Sequence, residues 1–416
     1  MTERRPLMTP LAAVTPPRHM AHLVASRSYL SYQKDELRDK LKHNPYSYIQ
    51  VINPDASRDI DTPRGTPAFF EEVRAEYDAF KSRGWLVGAE EPEWLVYKQS
   101  TSSHSWTGVV CNLDLARCAE GGLRTHEQTL VSRETLFTSF LDAVGFHAEP
   151  VLCAKPQGSA TAQACNKVLA EATSQPAHTD FMTADGVRHE IWRVPMHSPS
   201  GKAFSDTWGC EDVLYLADGH HRLASSHRLH KARPDLRGAA HILALVVPEE
   251  DLTILGFHKE VRDISMTRES WREALASLQG VCDVVPSKHG CDVPHGPGQI
   301  TVAFQGESWT LTRRPGCDAA TDADWVNVHI LGNILGIADA RHDKRLRHLP
   351  EPQCPEGGWQ AKAAAHPDRI LVLIHPIPFS DIRAVADAGG TLPPKSTWVE
   401  PKIRSALFIH EFNAAP

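Results

Sequence analysis

Apolar residues recur along this chain with two different periods, and each period marks a type of element. In residues 67–84 they fall at Phe69, Phe70, Val73, Tyr77 and Phe80, the spacing that lines one face of an amphipathic helix. Residues 33–42 carry the charge pattern of a surface helix, stopped at Asn44-Pro45. Residues 48–52 alternate apolar with polar and predict a strand, while 93–99 and 106–113 predict the two strands of a hairpin. Further on, 136–144 and 160–172 predict helices, and 150–154, 189–194, 213–217, 241–247 and 252–258 predict strands. After about residue 265 the texture changes. A helix over 270–278 is followed by a Pro-, Gly- and His-rich stretch at 283–298, an alternating hairpin at 300–311, a fully apolar strand at 370–374, and a short helix ending at Gly389-Gly390. This mixture predicts an α/β (α+β) protein with an N-terminal segment 1–93, a central unit 94–265 and a C-terminal unit 266–416. Residues 1–20, with Pro6, Pro10, Pro16 and Pro17, read as an extended arm or a surface-hugging segment.

Composition narrows the classes. At 416 residues the chain exceeds one average domain, and 41% hydrophobic residues supply a core. There is no run of 18 apolar residues and no apolar stretch behind Met1-Thr2-Glu3-Arg4-Arg5-Pro6, so no membrane partner is expected and a cytoplasmic location is. The nine cysteines, at 111, 118, 153, 165, 210, 282, 291, 317 and 354, are scattered without a Cys-x-x-Cys pair, against both a disulfide framework and a thiolate zinc site. A formal net charge of −7 leaves no global basic field, so nucleic acid is not an expected partner.

Candidate chemistry concentrates in two polar clusters. The first is Asp218-Gly219-His220-His221-Arg222, set between the apolar run 213–217 and a helix-forming segment whose apolar positions are Leu223 and Leu229. A strand, a tight turn and a helix N-terminus make a seat for an anion: unpaired N–H groups, the positive end of the helix dipole, and no side chain at Gly219. Arg222 adds a fork suited to phosphate, and Asp218 would hold a metal ion or cap the helix. An ordinary Asp-Gly turn is the plainer alternative. The second cluster, Thr125-His126-Glu127-Gln128-Thr129 with Arg133, offers a carboxylate beside an imidazole. Phosphoryl transfer to an alcohol needs both functions, and Glu127 is the candidate base. The alternative is that Thr125 and Glu127 merely cap the following helix. Lys395-Ser396-Thr397 lacks the glycines of a Walker loop and is either a phosphate or carboxylate contact or a proline-framed brace. Residues 341–345 read as a solvated loop. A zinc hydrolase is disfavoured, because His220 and His227 lie two helical turns apart and the position that would complete His-Glu-x-x-His after His126 is Leu130.

Taken together, His126-Glu127-x-Thr129 with Arg133, Asp218-Gly219-His220-His221-Arg222, and the segment from Pro393 to Lys402 resemble a widespread bacterial and archaeal family of unknown function, over nearly the whole chain from about Asn44. A narrower likeness, in the His-Glu pair and the Asp-Gly-x-His-Arg turn, is to free-serine kinases of the SerK type, built on the ParB/sulfiredoxin fold. The resemblance implies a ParB/sulfiredoxin-like central unit. It implies Glu127, with His126, as the catalytic group, and phosphate binding by Asp218, Gly219, His221 and Arg222; His220 has no counterpart in the shorter kinases. The implied activity is a Mg2+-dependent kinase that uses ATP or ADP on the hydroxyl of free serine or a similar small metabolite. Asp218 would place Mg2+, and Arg133, Thr129, Lys395, Ser396 and Thr397 would contact the substrate. Two rivals accompany this expectation. One is a ParB-like nucleotide-binding switch without small-molecule turnover; the other, a sulfiredoxin-like reductase, lacks the cysteine it would need in the turn. Around Ala25-Ser26-Arg27-Ser28-Tyr29 the chain departs from the Pro-Pro-Tyr-Asp-like segment of the larger family.

Overall fold

Strand 241–248, with seven of its eight residues buried, runs through the interior of a nine-stranded mixed sheet. The computed structural model describes residues 5–28, 32, 34–56, 61–158, 161–316, 319, 321–393 and 395–412. They belong to a mixed α/β chain that divides into two compact units, one built from 1–125, 129–252 and 401–416, the other from 126–128 and 253–400.

In the first unit the sheet runs Leu123–Arg124, Leu214–Asp218, Val151–Lys155, His241–Pro248, Ser105–Asp114, Glu93–Ser100, Arg188–Pro195, Thr179–Met182, with Met8–Thr9 added alongside Ser105–Asp114. Two pairings are parallel, Leu214–Asp218 with Leu123–Arg124 and His241–Pro248 with Val151–Lys155; the others are antiparallel. The predicted hairpin at 93–113 is present, with Val96 opposite Val109. Alternate residues Val109, Cys111 and Leu113 face the core with Leu214, Leu216, Ile242, Ala244 and Val246, as period-two side-chain placement requires. The helix Pro67–Ser82 buries the five apolar residues its spacing picked out, and Thr66 caps it by accepting from the Phe69 N–H.

Three expectations are corrected. Residues 49–52 form a helical turn and not a strand. Asn44 Oδ1 accepts from the Tyr46 N–H at 3.1 Å, starting a run of turns, and five residues are too few for periodicity to outweigh that local chemistry. The arm 1–20 does not merely hug the surface, because Leu7, Met8, Leu11 and Val14 are buried in it. Finally, 252–258 is not one strand. Thr253–Leu255 pairs with Trp398–Glu400, and Phe257–Val261 joins another sheet. The break falls at Gly256, where a Cβ would meet His258 Cε1 at 2.5 Å and the Ile374 carbonyl at 3.0 Å.

That other sheet organises the second unit. Its six strands are all antiparallel, in the order Cys282–Pro286, Glu307–Arg313, Gln299–Phe304, Ile370–Ile374, Phe257–Val261, Leu346–Pro350. The predicted apolar strand 370–374 is central and fully buried. One face carries Val261, Ile300, Val302, Val372 and Ile374 against Trp271 and Trp325.

The strand Leu214–Asp218 and the helix His220–Ala232 after it are the elements that set up the first polar cluster. Leu216 is wholly buried two residues before the turn. Leu216→Ala is expected to lower the unfolding free energy by about 2–5 kcal/mol, the usual range for a buried leucine. A shift in the urea midpoint with unchanged slope would show it; a variant as stable as the wild type would mean that this strand is not part of the cooperative core.

Candidate functional site

The site is built on an interruption. Pairing between Leu214–Asp218 and Val151–Lys155 is regular at Tyr215 and Leu216, then slips so that Asp218 faces Leu152 with one residue left over. Such a bulge twists the strand end and re-aims the next side chain. Gly219 comes next at φ 105° and ψ 26°, a left-handed conformation, and is the N-cap of the thirteen-residue helix. A Cβ there would lie 2.8 Å from Val151 Cγ1 and 3.1 Å from both Nε and Nη2 of Arg222. Glycine is therefore demanded twice, by its dihedral angles and by the guanidinium packed against it. No side chain caps the helix, so Asp218 is not the N-cap the sequence allowed.

Asp218 meets Lys402 instead, whose Nζ donates to Oδ2 at 2.9 Å. Burial opposes ionisation of this carboxyl, but Lys402, Arg222 and His220 prevail and hold it at about 2. Its side chain is still 41% exposed, within reach of a ligand. Arg222 donates through Nη1 to the Pro150 carbonyl at 2.6 Å, with Glu149 Oε2 3.7 Å away. Nε and Nη2, the pair flanking Gly219, have no acceptor among the described residues. His220 is buried. His221 is pushed below the ordinary imidazole range by burial and by the charge of Arg133, and its Nδ1 has no hydrogen-bond partner among the described residues. Arg133 is exposed in the first turn of the helix Val131–Val144, and that helix is held to the site helix by Ser225 Oγ, which donates to the carbonyls of His221 and Glu134.

The first unit thus brings Asp218 to Arg222 together with Arg133. Thr129 lies in the same unit and donates its hydroxyl to the Glu134 carboxylate. His126 and Glu127 belong to the second unit, with Lys395 to Thr397. His126 is buried and its carbonyl accepts from the Leu392 N–H at 2.8 Å; Glu127 is half-buried. The helix after them begins at Val131 with Leu130 as N-cap and no side-chain cap, so Thr125 and Glu127 are not its capping pair. Gln128 accepts from Arg341 at 3.2 Å, which ties residue 341 of the expected solvated loop to this segment. Ser396 is buried and donates to the Pro393 carbonyl at 2.7 Å, so its hydroxyl closes the turn. Thr397 is half-buried, Lys395 is exposed with φ 52°, and Pro394 lies outside the described residues.

No group of three or more His, Cys, Asp or Glu that could hold a metal ion occurs among the described residues. Asp218 offers one carboxylate, which fits Mg2+ only where phosphate oxygens and water complete the octahedron. A cleft of about 290 Å³ in the second unit, lined by Lys288, His289, Asp292, His295 and a row of threonines, contains none of the residues singled out from the sequence. Sequence reasoning gave no role to Lys402. Only a lysine at the end of a proline-framed segment marked it, and nothing local links it to Asp218.

The Asp218–Lys402 pair predicts a pH dependence. The folded carboxyl titrates below the unfolded value of about 3.9, so its contribution to stability is present above that pH and is lost as pH falls toward 2. Lys402→Met raises the Asp218 pKa and flattens the loss between pH 4 and 2, read from urea midpoints and from a carboxyl NMR titration. Identical acid profiles for the two proteins would show the pair to be inert.

Among solved structures, a C-terminally truncated SbnI from Staphylococcus aureus is 13% identical over 72% of this chain and 87% of its own, with a TM-score of 0.37. A free serine kinase variant in complex with AMP is 12% identical over 72% and 92%, at 0.39, and a conserved hypothetical protein from Pyrococcus furiosus is 12% identical over 72% and 94%, at 0.35. Likeness at this level assigns neither an activity nor a ligand to this chain. No curated protein matches it. Residues 8–333, well over half of the chain, match the family described as "Protein of unknown function (DUF1015)", and the chain belongs to that family.

Proposed function

We propose that the chain is a phosphotransferase that moves a phosphoryl group from ATP or ADP to the hydroxyl of free serine or a similar small metabolite. One observation carries the reading: a left-handed glycine that ends a buried strand, opens a helix and lies directly against an arginine fork with two donors to spare. Helix geometry leaves the N–H groups of His221 and Arg222 without intrahelical acceptors, while that of Leu223 already donates to the Gly219 carbonyl. Phosphate oxygens are their natural partners, and Arg222 Nε and Nη2 supply a bidentate contact. Lys402 adds positive charge beside them. Asp218, kept ionised, would hold Mg2+ jointly with the phosphate oxygens, and the ion would neutralise charge on the transferred group.

Glu127 is assigned the base. Its carboxylate takes the proton of the acceptor hydroxyl as the new O–P bond forms, and the bond from phosphorus to the bridging oxygen breaks with its electron pair leaving on the nucleotide. Arg133 is assigned to the substrate carboxylate, and the neutral His221 to a hydrogen bond that adds no charge.

The test is to incubate the protein with Mg2+, each nucleotide and a panel of hydroxy amino acids, and to identify phosphorylated product by mass. Glu127→Gln should slow transfer by about 10²–10⁴-fold with nucleotide affinity kept. Arg222→Ala should weaken the nucleotide by about 1.5–3 kcal/mol, the cost of losing a charge-assisted contact. Nucleotide binding or hydrolysis that ignores every acceptor would favour a ParB-like switch over a kinase, and full turnover by Glu127→Gln would remove the base assignment.

A further inference from the structure

Lys259 sits in the middle of Phe257–Val261, on the sheet face that Val261 and Val372 share with the core of the second unit. It has no exposed surface, and its Nζ has no hydrogen-bond partner among the described residues. Directly opposite it in the antiparallel register is His348, half-buried, whose Nδ1 also has no hydrogen-bond partner among the described residues. Phe257 and Trp398 wall the place with aromatic edges, Phe257 lying 6.1 Å from the His348 ring and 6.0 Å from that of Trp398. The second cation is Lys395, exposed and held at φ 52°, a backbone conformation that a lysine adopts only under constraint. Neither lysine forms an ion pair with a carboxylate among the described residues.

A buried ammonium without a counter-charge is among the least favourable groups a core can hold, and natural chains pair or discard it. Here two lysines, one from a strand and one from a loop, act on each other and on His348 with their ammonium donors unspent. We propose that the two lysines form an oxyanion site for a phosphate group, with Lys259 Nζ at its buried end, Lys395 at its exposed end and the neutral His348 ring as a wall between them. Point-like ammonium donors without an arginine fork suit a dianionic phosphate better than a planar carboxylate, which favours bidentate pairing. The electrostatics agree. Burial and then Lys395 lower Lys259 to about 8, and burial, Lys259 and Lys395 lower His348 to about 3 against a hydrogen bond to the Ala340 backbone, so at neutral pH His348 is an uncharged wall of the site whose one N–H is already used.

None of the three residues belongs to the turn at Gly219, so the oxyanion site goes beyond the proposed kinase chemistry and stands without it. It is tested in the full chain carrying Arg222→Ala, which removes the main phosphate contact of that turn. The probe is inorganic phosphate, compared with chloride at equal ionic strength and with acetate, by thermal unfolding and by calorimetry. Phosphate should raise the Tm of this background by several degrees. Adding Lys259→Met should raise the ligand-free Tm, because an uncompensated charge is replaced by an apolar chain of similar volume, and should abolish the phosphate response. Lys395→Ala, at an exposed position that does not threaten folding, should weaken phosphate roughly tenfold. Glycerol 3-phosphate in place of phosphate distinguishes a metabolite site, if it binds more tightly, from a site for the free ion; either result supports the assignment. A response to phosphate unchanged by Lys259→Met, a ligand-free Lys259→Met less stable than its parent, an acetate effect equal to that of phosphate, or no phosphate effect at all would each overturn it.

Discussion

Much of the first unit's chemistry depends on how closely a guanidinium can approach a bare backbone. Arg222 lies one turn into its helix, and two of its nitrogens stand 3.1 Å from the point where Gly219 would carry a side chain. The same glycine lets the chain leave the strand with positive φ and enter the helix within a single residue. Any other residue would be strained in its dihedral angles, would strike Val151, and would push the arginine fork away from the helix N-terminus. Dipole, free N–H groups and fork converge because one position has no Cβ.

Charge is handled differently at the two polar sites. Around Asp218 each charge has an answer: Lys402 bonds the carboxylate, Arg222 leans on the Pro150 carbonyl, and Glu149, which accepts from Ser405, stands near the guanidinium. Such a site is stable when empty and exchanges partners at modest cost when an anion arrives. The Lys259 site has no comparable internal answer: neither of its ammonium groups pairs with a carboxylate among the described residues, and the buried one is held at the expense of stability. Proteins tolerate that kind of deficit where a ligand repairs it.

How much was legible beforehand depends on the range of each signal. The helix 67–82 and the strands 93–100, 105–114, 241–248 and 370–374 were legible because their periodicity is long and their burial one-sided or complete. The turn at 218–219 was legible because left-handed turns demand glycine. Where the pattern was short it misled. Residues 48–52 alternate like a strand, yet an asparagine-initiated turn ahead of them made a helical turn. Residues 252–258 read as one apolar run, but the close approach of Ile374 and His258 at Gly256 divides it between two sheets. No local pattern records an obstacle supplied by a residue more than a hundred positions away.

By itself the sequence determined the mixed α/β class, the placement of most strands and helices, and the chemical character of the turn at Asp218-Gly219, since each is written in neighbours a few residues apart. Only the tertiary structure decided that Lys402 partners Asp218, that burial and Arg133 push His221 below the ordinary imidazole range, and that Lys259, His348 and Lys395 share one environment. Those outcomes depend on desolvation and on Coulomb interactions between groups far apart in the chain, and both are properties of distances that exist only after folding.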